Sequence, residues 1–134
     1  ARARVYRVDP PTGGGPATAV AVGELRPGDG PATTVTDAAV SPDGAAVVVR
    51  TYGGAWLYPV DPGQDPAAAL VSGKDPGRGA DGTARRERRC RAEAGAELQG
   101  EAVAFLPDGS GYVTIGEGTS PVPSTVTVRD GPAG

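Results

Sequence analysis

Apolar residues occur along this chain in short bursts of four to eight positions that are rich in Val and Thr. Gly, Pro and Asp separate the bursts, a pattern typical of strands joined by turns rather than of amphipathic helices. The predicted strands cover residues 4–8, 18–22, 34–40, 45–52, 55–60, 67–71, 102–105, 112–115 and 124–128. The sequence therefore predicts an all-β protein.

Two turn motifs recur together with their flanking residues. Ser41-Pro42-Asp43-Gly44 matches Leu106-Pro107-Asp108-Gly109 at an offset of 65 residues, and each lies between two apolar strands. Residues 5–10 match residues 57–62 at an offset of 52, where both copies contain a Tyr and a Val-Asp-Pro turn. In chain order the repeated unit is strand, Pro-Asp-Gly turn, strand, Gly turn, strand, Asp-Pro turn, strand.

A four-stranded antiparallel unit of about 40 residues has the size of one β-propeller blade. On this basis residues 1–32 hold the last two strands of one blade and residues 33–72 a complete blade. Residues 73–98 are predicted to be a basic disordered insertion, and residues 99–134 to hold the first three strands of a further blade. About two and a half blades are fewer than the four to eight that close a ring. We therefore expect an incomplete propeller completed by the remaining blades of a longer chain, with closure by oligomerisation as the alternative.

The repeated Pro-Asp-Gly turn, placed between an innermost-type and a second-type strand, resembles the blade signature of WD-repeat-like and Tol-associated bacterial β-propellers. The resemblance covers roughly residues 4–72 and 99–130. The Trp-Asp dipeptide of true WD repeats is missing, because Trp56 is followed by Leu57. The resemblance implies a binding or scaffold module with a protein or small-molecule ligand at the propeller face, and it favours an extracytoplasmic location.

A second resemblance concerns the stretch Leu98-Gln99-Gly100-Glu101. It is similar to the Gly-Glu-Gly opening of gluconolactonase-type propellers and to the Glu-containing blade of esterase-like phytase domains. In the lactonase-type family that Glu binds a divalent metal, so the resemblance implies Glu101 as a ligand for calcium or another divalent cation. The alternative function is therefore part of a metal-dependent hydrolase propeller, although the Asn partners usual in that family are missing from this chain, which contains no Asn.

Composition excludes several kinds of active site. The chain has no His and no Met, and Cys90 is its only cysteine. These absences exclude Ser-His-Asp and Cys-His nucleophile systems, His-containing zinc sites and an internal disulfide. No catalytic residue is predicted, and no cofactor is expected unless the hydrolase alternative holds. No apolar run approaches the roughly 18 residues that a membrane span needs.

The segment between Gly73 and Glu97 breaks the repeat. Seven of the thirteen basic residues of the chain fall between positions 74 and 91. A solvated, disordered loop is the favoured interpretation, and nucleic acid is not the expected partner, because no aromatic residues are interleaved to stack on bases. The alternatives are an anionic-surface patch, a helix over residues 84–98, and the product of a reading-frame slip in a GC-rich gene.

Candidate binding residues lie where the innermost strands begin, because these starts line the mouth of a propeller's central channel. Asp37 opens one such strand, and Gln99 and Glu101 open the other. Arg50 ends a Val-rich strand and needs a partner if it is buried. An ion pair with Asp37 is predicted, with a side chain that reaches solvent as the alternative.

Trp56 and Tyr58 are separated by one residue on a predicted strand, so their side chains lie on the same face. Packing between blades is their expected role, and a binding platform for carbohydrate or peptide is the alternative. Cys90 lies in the basic segment, where an inert exposed thiol is expected since the chain has no His to act as a base.

Overall fold

A computed structural model describes residues 2–27, 31–72, 89–95, 97 and 99–128. Within these residues nine strands form three antiparallel sheets, which confirms the all-β prediction. The strands are β1 (Ala3–Val8), β2 (Ala19–Leu25), β3 (Val35–Val40), β4 (Ala46–Thr51), β5 (Gly54–Pro59), β6 (Cys90–Ala92), β7 (Gly100–Phe105), β8 (Gly111–Gly116) and β9 (Ser124–Thr127). Sheet 1 has the order β1-β2, sheet 2 has β3-β4-β5-β6 and sheet 3 has β7-β8-β9. One α-helix, α1 (Pro66–Ser72), and a short 3-10 turn at Pro31–Thr33 complete the described elements.

The two Pro-Asp-Gly turns have the same hydrogen bonds. In each turn the Gly N–H donates to the carbonyl three residues earlier at 2.9 Å, and the Asp side chain accepts the N–H two residues later at 3.0 Å. Gly44 has φ 72° and Gly109 has φ 71°. Only a residue without Cβ adopts this left-handed conformation at no steric cost. The turn chemistry therefore fixes both hairpins, β3-β4 and β7-β8, in the same way.

The repeat extends to an irregularity in the backbone. The pairing of β3 with β4 shifts register between Val35 and Asp37, and that of β7 with β8 shifts between Gly100 and Ala102. These positions are 65 residues apart, the offset of the turn motif. Such a bulge bends the strand and leaves one residue outside the regular ladder. The two hairpins are thus equivalent in conformation as well as in sequence.

Sheet 2 lies between sheets 1 and 3. Successive side chains of β4 point to opposite faces. Val47 and Val49 enter one core together with Leu25 of sheet 1, whereas Val48 enters a second core together with Val103 and Tyr112 of sheet 3. The three sheets therefore stack face to face in chain order.

Tyr58 of β5 is 1 % exposed in the core between sheets 1 and 2, and Trp56 packs against the same core. Their predicted role in packing is therefore confirmed. Tyr58 lies in the interior of the stack, and Trp56 is half-buried against it.

The predicted strand over residues 67–71 is wrong, because this segment forms α1. Asp65 caps the helix by accepting the Ala67 N–H at 2.8 Å, and Pro66 occupies the first helical position, where its missing N–H costs nothing. Three alanines follow, and Ala is the best helix former. This local start signal outweighs the apolar composition that suggested a strand.

The fourth strand of sheet 2 is β6, which comes from the end of the segment predicted to be disordered. That prediction is wrong for β6, whose residues pair with Ala55, Trp56 and Leu57 of β5. Arg89, just before β6, places its guanidinium 4.6 Å from the centre of the Trp56 ring. Residues 73–88, where most of the basic cluster lies, fall outside the described residues.

Among the described residues, no helix is both long enough and apolar enough to span a membrane.

Truncating a buried side chain of the central sheet, sheet 2, should destabilise the protein. Val48 is fully buried, so we expect Val48→Ala to lower the free energy of unfolding by about 2 kcal/mol, through lost burial and the cavity left behind. Val122→Ala is the matched control, because Val122 is 80 % exposed and its loss should change stability by less than about 0.5 kcal/mol. Urea unfolding measures both, and equal effects would contradict the assignment of the core.

The repeated turns should contribute to stability against acid. Hydrogen bonds from the Ser41 hydroxyl and the Ala45 N–H lower the pKa of Asp43, and those from the Ser110 hydroxyl and N–H lower the pKa of Asp108. A lowered folded-state pKa gives stability that is present above the ordinary Asp value of about 4 and is lost as pH falls through the folded value.

We expect the Asp43→Ala, Asp108→Ala double variant to lose less stability than wild type between about pH 5 and pH 2, because the linkage is removed. Urea unfolding at several pH values tests this. If the free energy of unfolding changes equally with pH in the two proteins, the turns make no such contribution.

Candidate functional site

A groove of about 890 Å³ lies where sheet 2 meets the segment that enters sheet 3. We call it the strand-start groove, because it lies at the edge where β3 and β7 begin. Its polar lining consists of Arg50, Tyr52, Arg91, Glu93, Glu97 and Gln99. Its remaining lining is small, from Ala32, Gly53, Gly54, Ala92, Ala94 and Gly95. Small residues keep the groove open, and the polar residues supply its hydrogen-bonding groups.

A buried ion pair forms one wall of this groove. Arg50 of β4 donates from Nη2 to Glu97 Oε2 at 2.5 Å, and the side chains of the two residues are 2 % and 7 % exposed. The Thr114 hydroxyl of β8 donates to the other carboxylate oxygen at 2.6 Å. Both oxygens of Glu97 are thus bonded, one to sheet 2 and one to sheet 3. The pair joins the two sheets as well as forming the wall.

Two glycines make room for this arrangement. A Cβ on Gly100, the first residue of β7, would overlap the Arg50 guanidinium. A Cβ on Gly116, the last residue of β8, would lie 2.7 Å from the Glu97 Cβ. Neither glycine has a positive φ, so close approach rather than backbone conformation excludes a larger residue at these positions.

Asp37 does not pair with Arg50, so the predicted ion pair is wrong. Its Oδ1 accepts the Ala38 N–H and its Oδ2 accepts the Val103 N–H, each at 2.8 Å. Val103 lies in β7, so the carboxylate satisfies a backbone donor of the neighbouring sheet. Arg50 pairs with Glu97 instead, and its guanidinium lies against Gly100.

A second hydrogen bond joins β3 to β7. The Thr36 hydroxyl donates to the Gly100 carbonyl at 2.8 Å. The starts of the two strands are therefore held together by polar contacts.

The four predicted channel-mouth residues separate into two groups. Arg50 and Gln99 line the strand-start groove, whereas Asp37 and Glu101 do not. Gln99 has an exposed side chain, and Glu101 is half-buried at the bulge of β7. The described residues contain no group of three or more Asp, Glu, Cys or His that could hold a metal ion. Glu101 therefore belongs to no such cluster in this part of the chain.

Arg91 of β6 offers an uncommitted positive charge. Its guanidinium lies across Gly54, with Nε and Nη2 3.9 Å from the position that a Cβ would take. Within the described part of the chain it forms no ion pair. The buried Arg50 Nε has no hydrogen-bond acceptor there either. With the Gln99 amide and the Glu93 carboxylate, the groove presents both donors and acceptors to a polar ligand.

Tyr112 fixes the segment between β6 and β7. Its hydroxyl donates to the Glu93 carbonyl at 2.5 Å. Burial of the ring, with a further contribution from the Glu93 charge, raises the pKa of Tyr112 to about 12. The hydroxyl therefore stays protonated at neutral pH and remains a donor.

Sequence reasoning missed Glu97, Thr114 and Arg91. The 65-residue repeat places Ala32 at the position of Glu97 and Ile115 at the position of Arg50. Internal similarity thus gave no signal for the ion pair. The one available signal was the Arg at the end of an all-valine run, which required a partner without indicating which one.

No protein-family model, no curated protein and no solved structure matches this chain. The interpretation of the site therefore depends on its own geometry.

Removing one partner of the buried pair should strongly destabilise the protein. We expect Glu97→Ala to lower the free energy of unfolding by about 3–5 kcal/mol, because it leaves the Arg50 charge buried without a counter-charge. Glu24→Ala is the matched control. Glu24 and Arg2 form an ion pair of 3.7 Å, and their side chains are 37 % and 64 % exposed. Losing this exposed pair should lower the free energy of unfolding by less than about 1 kcal/mol.

Replacing both charges, as in Arg50→Met with Glu97→Leu, should recover most of the stability, because two apolar side chains of similar volume need no pairing. Urea unfolding of the three variants measures these differences. An effect of Glu97→Ala no larger than that of Glu24→Ala would contradict the burial of the pair.

Proposed function

We propose that this chain is a binding module built from consecutive β-propeller blades, with the strand-start groove as its ligand site. Its partner would be another protein or a small polar molecule. The observation that carries this proposal is the groove itself, a recess lined by six polar and six small residues at the edge where the innermost-type strands begin. This is the edge at which sequence reasoning expected a binding site.

The arrangement of the sheets supports the blade interpretation. They stack face to face in chain order, and the innermost-type strands β3 and β7 are neighbours joined by the Asp37 and Thr36 hydrogen bonds. The two hairpins share turn, bulge and offset. About two and a half blades do not close a ring, so the proposal includes further blades outside these 134 residues.

The outer face of sheet 1 is suited to such a neighbour. Tyr6 and Val8 of β1 are 47 % and 54 % exposed. Both belong to the face of β1 that points away from sheet 2, since Ala3 and Val5 pack towards it. Covering these side chains with the next blade would remove apolar surface from water.

The groove has the properties of a preformed binding site. Arg50 is held in place by Glu97, and Tyr112 anchors the opposite segment through the Glu93 carbonyl. Walls fixed in advance reduce the ordering cost of binding. Arg91 and Gln99 remain accessible at the rim and can contact a ligand directly.

Blocking the groove should weaken partner binding without unfolding the chain. A Cβ on Gly54 would have only the Arg91 guanidinium nearby, at 3.9 Å, so Gly54→Phe should place a ring in the groove. Gly15→Phe is the matched control, because a Cβ at Gly15 would have nothing within 4 Å. Partners captured from a lysate of the organism that encodes the chain are identified by mass spectrometry and then purified.

Calorimetry with the purified partner should show affinity at least tenfold weaker for Gly54→Phe and unchanged for Gly15→Phe. Equal affinity of all three proteins would refute the groove as the ligand site. Saturable calcium binding that is lost in Glu101→Gln would instead support the metal-dependent hydrolase and overturn the proposed function.

A further inference from the structure

The strand-start groove surrounds the end of the β4-β5 hairpin. A two-residue loop, Tyr52-Gly53, joins the paired residues Thr51 and Gly54. Both loop residues and Gly54 line the groove. Because Gly53 and Gly54 carry no side chains, the hairpin end is narrow and leaves room for side chains that approach it from either face of sheet 2.

Two arginines approach this hairpin end from opposite faces of sheet 2. Arg50 is paired with Ala55, which lies in the core between sheets 2 and 3. Arg91 is paired with Trp56, which packs against the core between sheets 1 and 2. Directly paired residues share a face of a sheet, so the two arginine side chains leave sheet 2 on opposite faces. Both nevertheless line the same groove.

The Arg91 side chain runs along its face towards the end of the hairpin. It starts opposite Trp56, and its Nε and Nη2 lie 3.9 Å from the position that a Cβ on Gly54 would take, two residues nearer the loop. It forms no ion pair with any residue that the structure describes. The described chain therefore leaves this positive charge available to a ligand in the groove.

Arg50 has donors left after it binds Glu97. Its side chain is 2 % exposed, and its one side-chain hydrogen bond to a described residue runs from Nη2 to Glu97. The described ranges supply no acceptor for its buried Nε. A buried donor without an acceptor costs free energy. A ligand that brings an acceptor to this wall of the groove would reduce that cost.

The carboxylates of the groove do not supply the missing acceptors. Both oxygens of Glu97 are already bonded at the junction of sheets 2 and 3. Glu93 is exposed and lies two positions after Arg91, but no ion pair joins these two described residues. The Glu93 charge acts instead on Tyr112, whose pKa it helps to raise and which does not line the groove. The two arginines therefore leave donors for an acceptor that comes from outside the described residues.

We propose that the strand-start groove binds an oxyanion, a carboxylate or phosphate group, between the guanidinium groups of Arg91 and Arg50. This inference rests on the proposed function, because it names the chemical class of the ligand in the same groove. The planar guanidinium group matches the geometry of both oxyanions, and hydrogen bonds between charged groups are stronger than those between neutral ones. Arg91 supplies charge at the rim, and Arg50, held by Glu97, supplies a donor that is already in place.

The test titrates the full chain with sodium acetate and, in a separate series, with sodium phosphate. Sodium chloride keeps the ionic strength constant, and the pH is about 6, at which a carboxylate is ionised. NMR follows the side-chain Nε–H signals of Arg50 and Arg91 and the backbone N–H of Gly54. We expect all three signals to shift and to reach saturation with at least one of the two anions. The anion that saturates at the lower concentration identifies which group the ligand carries.

Two variants of neighbouring residues should change the affinity in opposite directions. Arg91→Gln removes the charge at the rim and should weaken anion binding about tenfold. Glu93→Gln removes a like charge from the groove and should strengthen anion binding about twofold. Arg2→Gln is the matched control, because Arg2 is exposed and does not line the groove, so its loss should leave the affinity unchanged. All three residues are exposed, and the substitutions should preserve the fold.

Three results would overturn the oxyanion assignment. They are the absence of saturable shifts with either anion, shifts at Arg91 without any at Arg50, and an equal loss of affinity in Arg91→Gln and Arg2→Gln. The proposed function fails by a different result, namely unchanged binding of the purified partner by Gly54→Phe. A groove that binds its partner through neutral groups alone would pass that earlier test and fail this one.

Discussion

The junction of sheets 2 and 3 depends on the burial of one charge, the guanidinium of Arg50. A charge removed from water must be paired and hydrogen-bonded, and the surrounding residues meet this requirement one by one. Glu97 supplies the opposite charge, and Thr114 satisfies the second oxygen of that carboxylate. Gly100 and Gly116 leave the space that the pair needs. The pair thus ties the segment before β7 to sheets 2 and 3 and forms one wall of the groove.

Small side chains allow the sheets to pack face to face. Val47, Val48 and Val49 of β4 serve two cores at once, because alternate side chains enter opposite faces. The few large rings, such as Tyr58 and Tyr112, fill the space that valines leave. Each sheet is therefore covered by its neighbours rather than by a layer of helices, and the outer faces of the stack are left for further contacts.

The two sheet edges differ in a way that bears on interactions. The edge at β6 carries charges, and Arg89 beside it is committed to the Trp56 ring. The edge at β9 is uncharged and directs the backbone groups of Thr125 and Thr127 outward. Together with the strand-start groove, this places two surfaces of different chemistry on one small stack.

The sequence by itself determined eight of the nine described strands, the two Pro-Asp-Gly hairpins and their repetition. Alternating apolar residues and the turns at Asp43 and Asp108 act within about ten residues, so they can be recognised locally. The helix α1 had a local start signal in Asp65-Pro66, but its apolar composition also fits a strand. Of the candidate site, only Arg50 and Gln99 were found from sequence. The partner of Arg50 lies 47 residues away, and β6 meets β5 across 33 residues. Only the tertiary structure decided these contacts. A buried charge or an unpaired strand edge can be satisfied by any suitable group that the fold brings close to it, and no local sequence pattern identifies that group.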